Sequence, residues 1–218
     1  MSSGREIISR TTSLLLDMSR ALNLCREAPT LQRLNFTSHG APASANQPLG
    51  NWVRWFPPAR GLKLNNDGLC KSGIMTGGGI VCDYSGLVFL AFSARLGHGT
   101  SLAAEAKTMY IGLSVCRKRN LHLLEAETDS MMFHNAIQVL GPTPWLIEYL
   151  IRKCRSLLST HTKVSHTWRE GNRAADYLAS LDFPRTECVY FHDIHSLKPP
   201  GVNILKGDAL GLHFFRPP

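Results

Sequence analysis

Between residues 60 and 182 the chain switches between two hydrophobic periods. Leu62–Asp67 is an extended run, with Leu64 and Asn66 on one face and Lys63, Asn65 and Asp67 on the other. Gly77–Asp83 reads as a second strand, Asp83-Tyr84-Ser85-Gly86 as a turn, and Leu87–Arg95 as a third strand with Val88, Leu90 and Phe92 on one face. Short connections between three strands predict an antiparallel meander. The period then becomes helical. Leu102, Ala106, Met109, Leu113 and Cys116 form an apolar stripe over residues 102–119, with Ser101 as the expected cap. Leu121–Thr128 predicts a fourth strand, followed by a helix from Asp129-Ser130 to Leu140. Gly141-Pro142-Thr143-Pro144 breaks the chain, and a further helix spans Trp145–Ser159. Thr162–Trp168 predicts a fifth strand. Arg169–Asn172 turns the chain, and a last helix runs over Arg173–Leu181 with Asn172 as cap.

The flanks have a different character. Ile7, Ile8, Leu14, Leu15, Met18, Leu22 and Leu24 recur at helical spacing, which predicts an amphipathic helical arm over residues 1–34. Its arginines suit an organelle transit peptide, but Glu6, Asp17 and Glu27 argue for the arm. Residues 35–59 read as a Pro/Ser-rich linker that ends in Asn51-Trp52-Val53-Arg54-Trp55-Phe56-Pro57-Pro58. Its tryptophans either stack on nucleic-acid bases or pin the linker to the domain, and pinning is the expected role. The domain itself is placed at 60–183. Residues 184–218 are expected to form a partly unstructured tail, since Pro199-Pro200-Gly201 and the final Pro pair interrupt regular structure.

Composition adds little until chemistry is considered. At 218 residues and 44% hydrophobic, the chain can bury one ordinary core and is not globally disordered. A formal charge of +8 suits polyanionic partners and equally suits a merely soluble basic protein. The six cysteines at 25, 70, 82, 116, 154 and 188 form no CxxC pair and have no zinc spacing. Reduced thiols in the nucleus or cytoplasm are the expectation. No apolar run reaches membrane-spanning length, so no membrane partner is expected, and a monomer is.

Four acids stand at awkward or strategic places. Asp67-Gly68 is either a turn or a carboxylate on a strand. Glu105 falls on the apolar stripe of its helix, where a charge is costly unless paired or bound to metal, or it lies at the rim. Asp129 is either a helix cap or a ligand at a strand end. Asp176 is either a dipole partner at a helix start or a member of a site.

Taken in order, the pieces resemble type 1 ribonuclease H domains, in particular the version associated with plant non-LTR retrotransposon reverse transcriptases. The matching segments are Lys63-Leu64-Asn65-Asn66-Asp67-Gly68, Gly78–Gly86, Ala104-Glu105-Ala106 with Gly112-Leu113, Glu127-Thr128-Asp129-Ser130, and His166–Asp176. The resemblance spans residues 60–182. It implies an α/β fold with a mixed five-stranded sheet, in order 3-2-1-4-5, and helices on both faces. It also implies that Asp67, Glu105, Asp129 and Asp176 converge as catalytic metal ligands.

Four carboxylates in one site repel strongly, and hard divalent ions with oxygen ligands relieve this. The implied cofactor is two Mg²⁺ ions about 4 Å apart, with Mn²⁺ as a substitute. The implied partner is an RNA–DNA hybrid whose RNA strand is hydrolysed to leave a 5′ phosphate. Gly68, Lys71, Thr100, Asn135 and Asn172 are the candidate substrate-binding residues. Three departures stand out. Many relatives carry a histidine in a flexible loop before the last acid. Here that loop is only Arg169-Glu170-Gly171, and His166 is expected to be structural. The glycine run after Asp67 is altered, and no basic handle surrounds Trp145. Two functions are therefore carried forward: a metal-dependent endonuclease, and a nucleic-acid-binding remnant with weak or absent turnover.

Overall fold

The computed structural model describes residues 51–181, 188–192 and 196–217. The expected arm, most of the linker and the Pro184 break lie outside them.

A mixed sheet organises the molecule. β2 (Leu62–Lys71), β3 (Ile74–Asp83) and β4 (Val88–His98) form the expected antiparallel meander. The first hairpin is tighter than expected. β2 runs on to Lys71 and β3 begins at Ile74, because Ser72 and Gly73 both take positive φ (49° and 78°). A two-residue turn of that hand matches the twist of the paired strands. β5 (Leu123–Thr128) and β6 (Lys163–His166) lie parallel to β2. Among the described residues the sheet order is β6-β5-β2-β3-β4 followed by a sixth strand at Cys188–Phe191 (β7), so five of its strands keep the expected order.

The sixth strand corrects the expectation of five. β7 (Cys188–Phe191) pairs antiparallel with β4, from a segment read as tail. α5 (Pro199–Ala209) and β8 (Phe214–Arg216) come from the same segment. The Pro199-Pro200 pair read as a breaker instead opens α5. Proline suits the first helical turn, where its missing N–H has no intrahelical partner to lose. β8 pairs with β1 (Asn51–Val53), which lies in the expected linker.

Helices cover both faces of the sheet. α1 (Ser101–Lys118) buries Met109, Leu113 and Cys116 as its stripe predicts, and Arg117 and Lys118 sit favourably at its C-terminal dipole. Its cap is Thr100, not Ser101: the Thr100 hydroxyl accepts from the Ala103 N–H at 3.2 Å. α1, α2 (Met131–Ile137) and α3 (Glu148–Leu157, entered through a 3-10 turn at Trp145–Ile147) enclose the larger core around Leu64, Phe92, Met109, Phe133 and Ile151. On the opposite face, α4 (Arg173–Ser180) and α5 close a second core. There Leu205 and Trp55 pack on Ile80 and Leu178, so the pinning role expected for the linker tryptophans holds for Trp55.

Both helical layers come unusually close to the sheet. A methyl on Gly68 would collide with the α1 backbone at Ala104 and Glu105, and one on Gly78 with α4 at Ala175 and Ala179. Glycine lets the α1 and α4 backbones approach until functional side chains meet.

Candidate active site

The register of the central strands builds the site. Asn66 stands beside Thr128, and Thr128 beside His166. The next residues along the chain are therefore Asp67, midway along β2, and Asp129, just past the end of β5, where the parallel pairing of the two strands stops. Open α/β sheets place ligands at such ends. α1 brings Glu105 to the same point from the face that Asn66 and Gly68 share. Carboxylate oxygens of Asp67, Glu105 and Asp129 lie within 4.8 Å of one another.

Each acid is held by identifiable partners. Glu105 is buried and accepts from Asn66 Nδ2 and Thr128 Oγ1, both at 3.4 Å. Asp129 is left out of helix capping because Ser130 does that work, accepting from the Phe133 N–H at 3.3 Å. His166 Nε2 lies 3.2 Å from the Asp129 carbonyl oxygen, which requires a proton on that nitrogen and fixes the turn. His166 thus has the structural place expected of it. Asp176 stands apart from the cluster of three. Arg169 Nη2 donates to its Oδ1 at 2.9 Å, with Nε at 3.3 Å, and its side chain is 42% exposed.

Electrostatics mark the cluster as strained. Burial, then Asp129 and Asp176, push Asp67 up to about 7, while Arg169 pulls it down. Burial, with Asp67 and Asp129, holds Glu105 well above the ordinary carboxylate range. Burial raises Asp129 also, against Arg169. Asp67 Oδ2 and Asn66 Oδ1 are buried with no hydrogen-bond partner. Orphaned acceptors facing a repelling all-oxygen cluster are what a hard divalent cation would satisfy.

The candidate substrate residues fall into two groups. Lys71 and Thr100 are exposed on adjoining tips, joined by the Gly99 N–H to Gly73 carbonyl bond at 3.0 Å. Asn135 is half-buried on α2, beside His134. Gly68 and Asn172 do not reach the surface. Gly68 is packed against α1. Asn172 makes no side-chain cap, contrary to expectation; its Nδ2 donates to the Asn66 carbonyl at 2.9 Å and its Oδ1 accepts from Asn65 Nδ2 at 3.3 Å. Asn172 therefore sets the position of β2 rather than offering its amide to a ligand.

Arg169, Asn66 and Thr128 were not singled out from sequence. Asn66 had a legible signal: a polar residue on the same face as Leu64 in the strand that carries Asp67. A further network escaped as well. Lys63 is 2% exposed, and its Nζ binds Glu127 at 2.8 Å, Glu125 at 3.2 Å and the Phe56 carbonyl at 2.6 Å. Asn65 accepts from Trp55 Nε1 at 2.9 Å, so the linker is tied to the strand two residues before Asp67.

A mixed sheet of this order, clasped by helices and carrying acids on and beside its central strands, is the ribonuclease H fold. Solved structures agree. Ribonuclease H1 from Halobacterium salinarum matches with a TM-score of 0.52 at 19% identity, over 54% of this chain and 93% of that one. The N-terminal ribonuclease H domain of Rv2228c from Mycobacterium tuberculosis gives 0.50 at 21% identity, over 56% and 91%. A family model described as "Reverse transcriptase-like" matches residues 65–181, and the chain belongs to that family. An Arabidopsis thaliana protein named "Putative ribonuclease H protein" is 27% identical over 164 residues. That match covers 73% of this chain and 26% of the longer relative.

Proposed function

We propose that this protein is a divalent-metal-dependent endonuclease that hydrolyses the RNA strand of RNA–DNA hybrids. The observation that carries the reading is the convergence of Asp67, Glu105 and Asp129 with an orphaned Asp67 oxygen where the pairing of β2 and β5 stops. The donors are all oxygen, which suits Mg²⁺ or Mn²⁺ and disfavours softer ions. Asp67, Glu105 and Asp129 would hold the ion, with Asp176 completing the set. A bound divalent cation supplies Lewis-acid polarisation of the scissile phosphate and a more acidic water.

The chain's own groups do the positioning. Asn66 and Thr128 hold the Glu105 carboxylate, and His166 fixes the Asp129 backbone. Arg169 keeps a permanent positive charge beside Asp176 and opposes the repulsion at Asp67 and Asp129. Lys71 and Thr100, on exposed neighbouring tips, would meet the backbone of the hybrid.

Labelled RNA–DNA hybrid, supplied with Mg²⁺ to the full chain, tests the proposal beside an Asp67→Asn variant and an EDTA control. Magnesium-dependent cleavage that the variant lacks supports the enzyme. Tight hybrid binding by folded protein without cleavage would instead support the non-catalytic remnant.

A further inference from the structure

Trp55 lies just beyond the short β1–β8 ribbon and outside the 65–181 span of the family match. Its ring belongs to the second core, with Ile80, Leu178 and Leu205. Core packing does not call for an indole N–H, since a phenylalanine ring packs without one. The Trp55 N–H nevertheless has a buried partner: Nε1 donates to Asn65 Oδ1 at 2.9 Å. A chain of hydrogen bonds continues from there. Asn65 Nδ2 donates to Asn172 Oδ1 at 3.3 Å, and Asn172 Nδ2 to the Asn66 carbonyl at 2.9 Å. Asn66 Nδ2 then donates to Glu105 Oε2 at 3.4 Å. Four links thus join the linker to an acid of the site.

The chain has a fixed direction. An indole N–H can only donate, and a carbonyl can only accept. With those ends set, the Asn65 and Asn172 amides have one orientation each. Turning either over would set donor against donor and acceptor against acceptor. A branch runs to the neighbouring strand: Asn65 Nδ2 also donates to Glu127 Oε2 at 2.9 Å, and Lys63 Nζ bridges Glu127 Oε1 and the Phe56 carbonyl. Asn65 precedes Asp67 by two residues on β2, Glu127 precedes Asp129 by two, and Asn172 precedes Asp176 by four. One network therefore reaches every segment that carries an acid of the site, while binding only Glu105 among the four. A fully satisfied buried network of this kind favours a single geometry.

We infer that Trp55 is a positioning residue of the acidic site. Its N–H orients the Asn65–Asn172–Asn66 chain, and the chain holds the Glu105 carboxylate and the strands of Asp67 and Asp129 in the arrangement that a divalent cation needs. The inference rests on the cation-site reading above.

The test reads cation binding by the full chain without substrate, by isothermal titration with Mn²⁺. Trp55→Phe keeps a ring in the core and deletes the N–H. It is expected to weaken Mn²⁺ binding by roughly 5-fold, less than the roughly 10- to 100-fold typical of partners bonded directly to a ligand. Asn172→Ala breaks the same chain one link further on. The double variant is expected to lose little more than the weaker-binding single variant, because residues of one network do not act additively. Leu205→Ala loosens the same core without touching a link; it is expected to lower the melting temperature and leave Mn²⁺ affinity within about 2-fold of the unsubstituted chain. In hybrid cleavage, Trp55→Phe should lower kcat and leave KM unchanged.

Unchanged Mn²⁺ affinity in folded Trp55→Phe overturns the inference. So do additive losses in the double variant, a Leu205→Ala loss equal to that of Trp55→Phe, or a raised KM at unchanged kcat. If Trp55→Phe does not fold, the unsubstituted chain decides. Coupling between two sites is reciprocal, so Mg²⁺ must slow deuterium exchange at the Trp55 indole N–H more than at the Leu205 amide, and equal slowing overturns the inference. An unsubstituted chain that binds Mn²⁺ but cleaves no hybrid defeats the ribonuclease reading alone. One that binds no Mn²⁺ defeats the cation site and this inference with it.

Discussion

Asp67→Asn is expected to make the metal-free protein more stable while abolishing cleavage. The structure gives the scale. Asp67 is pushed up to about 7 by burial and by neighbouring Asp129 and Asp176. The ordinary aspartate value is about 3.9, and each unit corresponds to about 1.4 kcal/mol. Keeping this group ionised in the folded chain therefore costs at most about 4 kcal/mol. Glu105 and Asp129 share the same repulsion, so the expected gain on removing one charge is about 2 kcal/mol.

The direction with pH follows from the raised carboxyl, which binds its proton more tightly folded than unfolded. Folded stability is then greatest near pH 4 and falls as the pH rises towards 7. For a chain of this size about 2 kcal/mol moves the melting temperature by about 4–8 °C. Melting in EDTA should place the variant that far above the parent at pH 8, with the gap closing near pH 4. Mg²⁺ should raise the parent's melting point at pH 8 and move the variant's much less. A variant that melts at or below the parent at pH 8 would refute the idea that these carboxylates are a strained cation site.

Other substitutions probe the frame. Gly68→Ala should cost about 3 kcal/mol or more, because the methyl would strike the α1 backbone, and denaturant melts would show it. Lys63→Met removes the donor shared by Glu127, Glu125 and the Phe56 carbonyl; a loss of about 3–5 kcal/mol is expected, read as a lower urea midpoint. Asp208 is buried on α5 with one oxygen unpartnered, and burial lifts it to about 6 despite Arg173. Its raised carboxyl should withdraw stability as the pH climbs from about 4 to 6, and Asp208→Asn should flatten that slope in pH-dependent melts.

Much of this arrangement was legible from spacing. The alternation in Leu62–Asp67 and the stripe of α1 placed the central strand and the main helix, while the convergence of four acids was implied by the family resemblance, and the structure groups Asp67, Glu105 and Asp129 without Asp176. What escaped has physical causes. Lys63 and Asn65 look like a solvent face by alternation, but β2 is central and covered on both sides, so its polar residues are buried in networks. Asn172 has the right type for a cap, yet its amide is claimed by β2 from across the fold, which no local pattern encodes. β7 is four residues long, and only its pairing with β4 makes it a strand. The start of α5 was readable and misread: a proline pair after a polar residue opens a helix as readily as it ends one.

The pairing of β1 with β8 has one more consequence. Asn51 stands opposite Arg216, so the entry and exit of the folded unit are about 5 Å apart. A unit whose two ends meet can be spliced into a loop of an unrelated host without stretching either partner. It can also be reopened elsewhere by circular permutation. The boundaries for such transplantation are the ribbon strands, which lie outside the 65–181 span that defines the family. Cutting at the family limits would remove Trp55 and Leu205 from the second core, delete Lys63 itself and strip Asn65 of its Trp55 partner. The portable piece is thus set by a short clasp rather than by the outline of the family match.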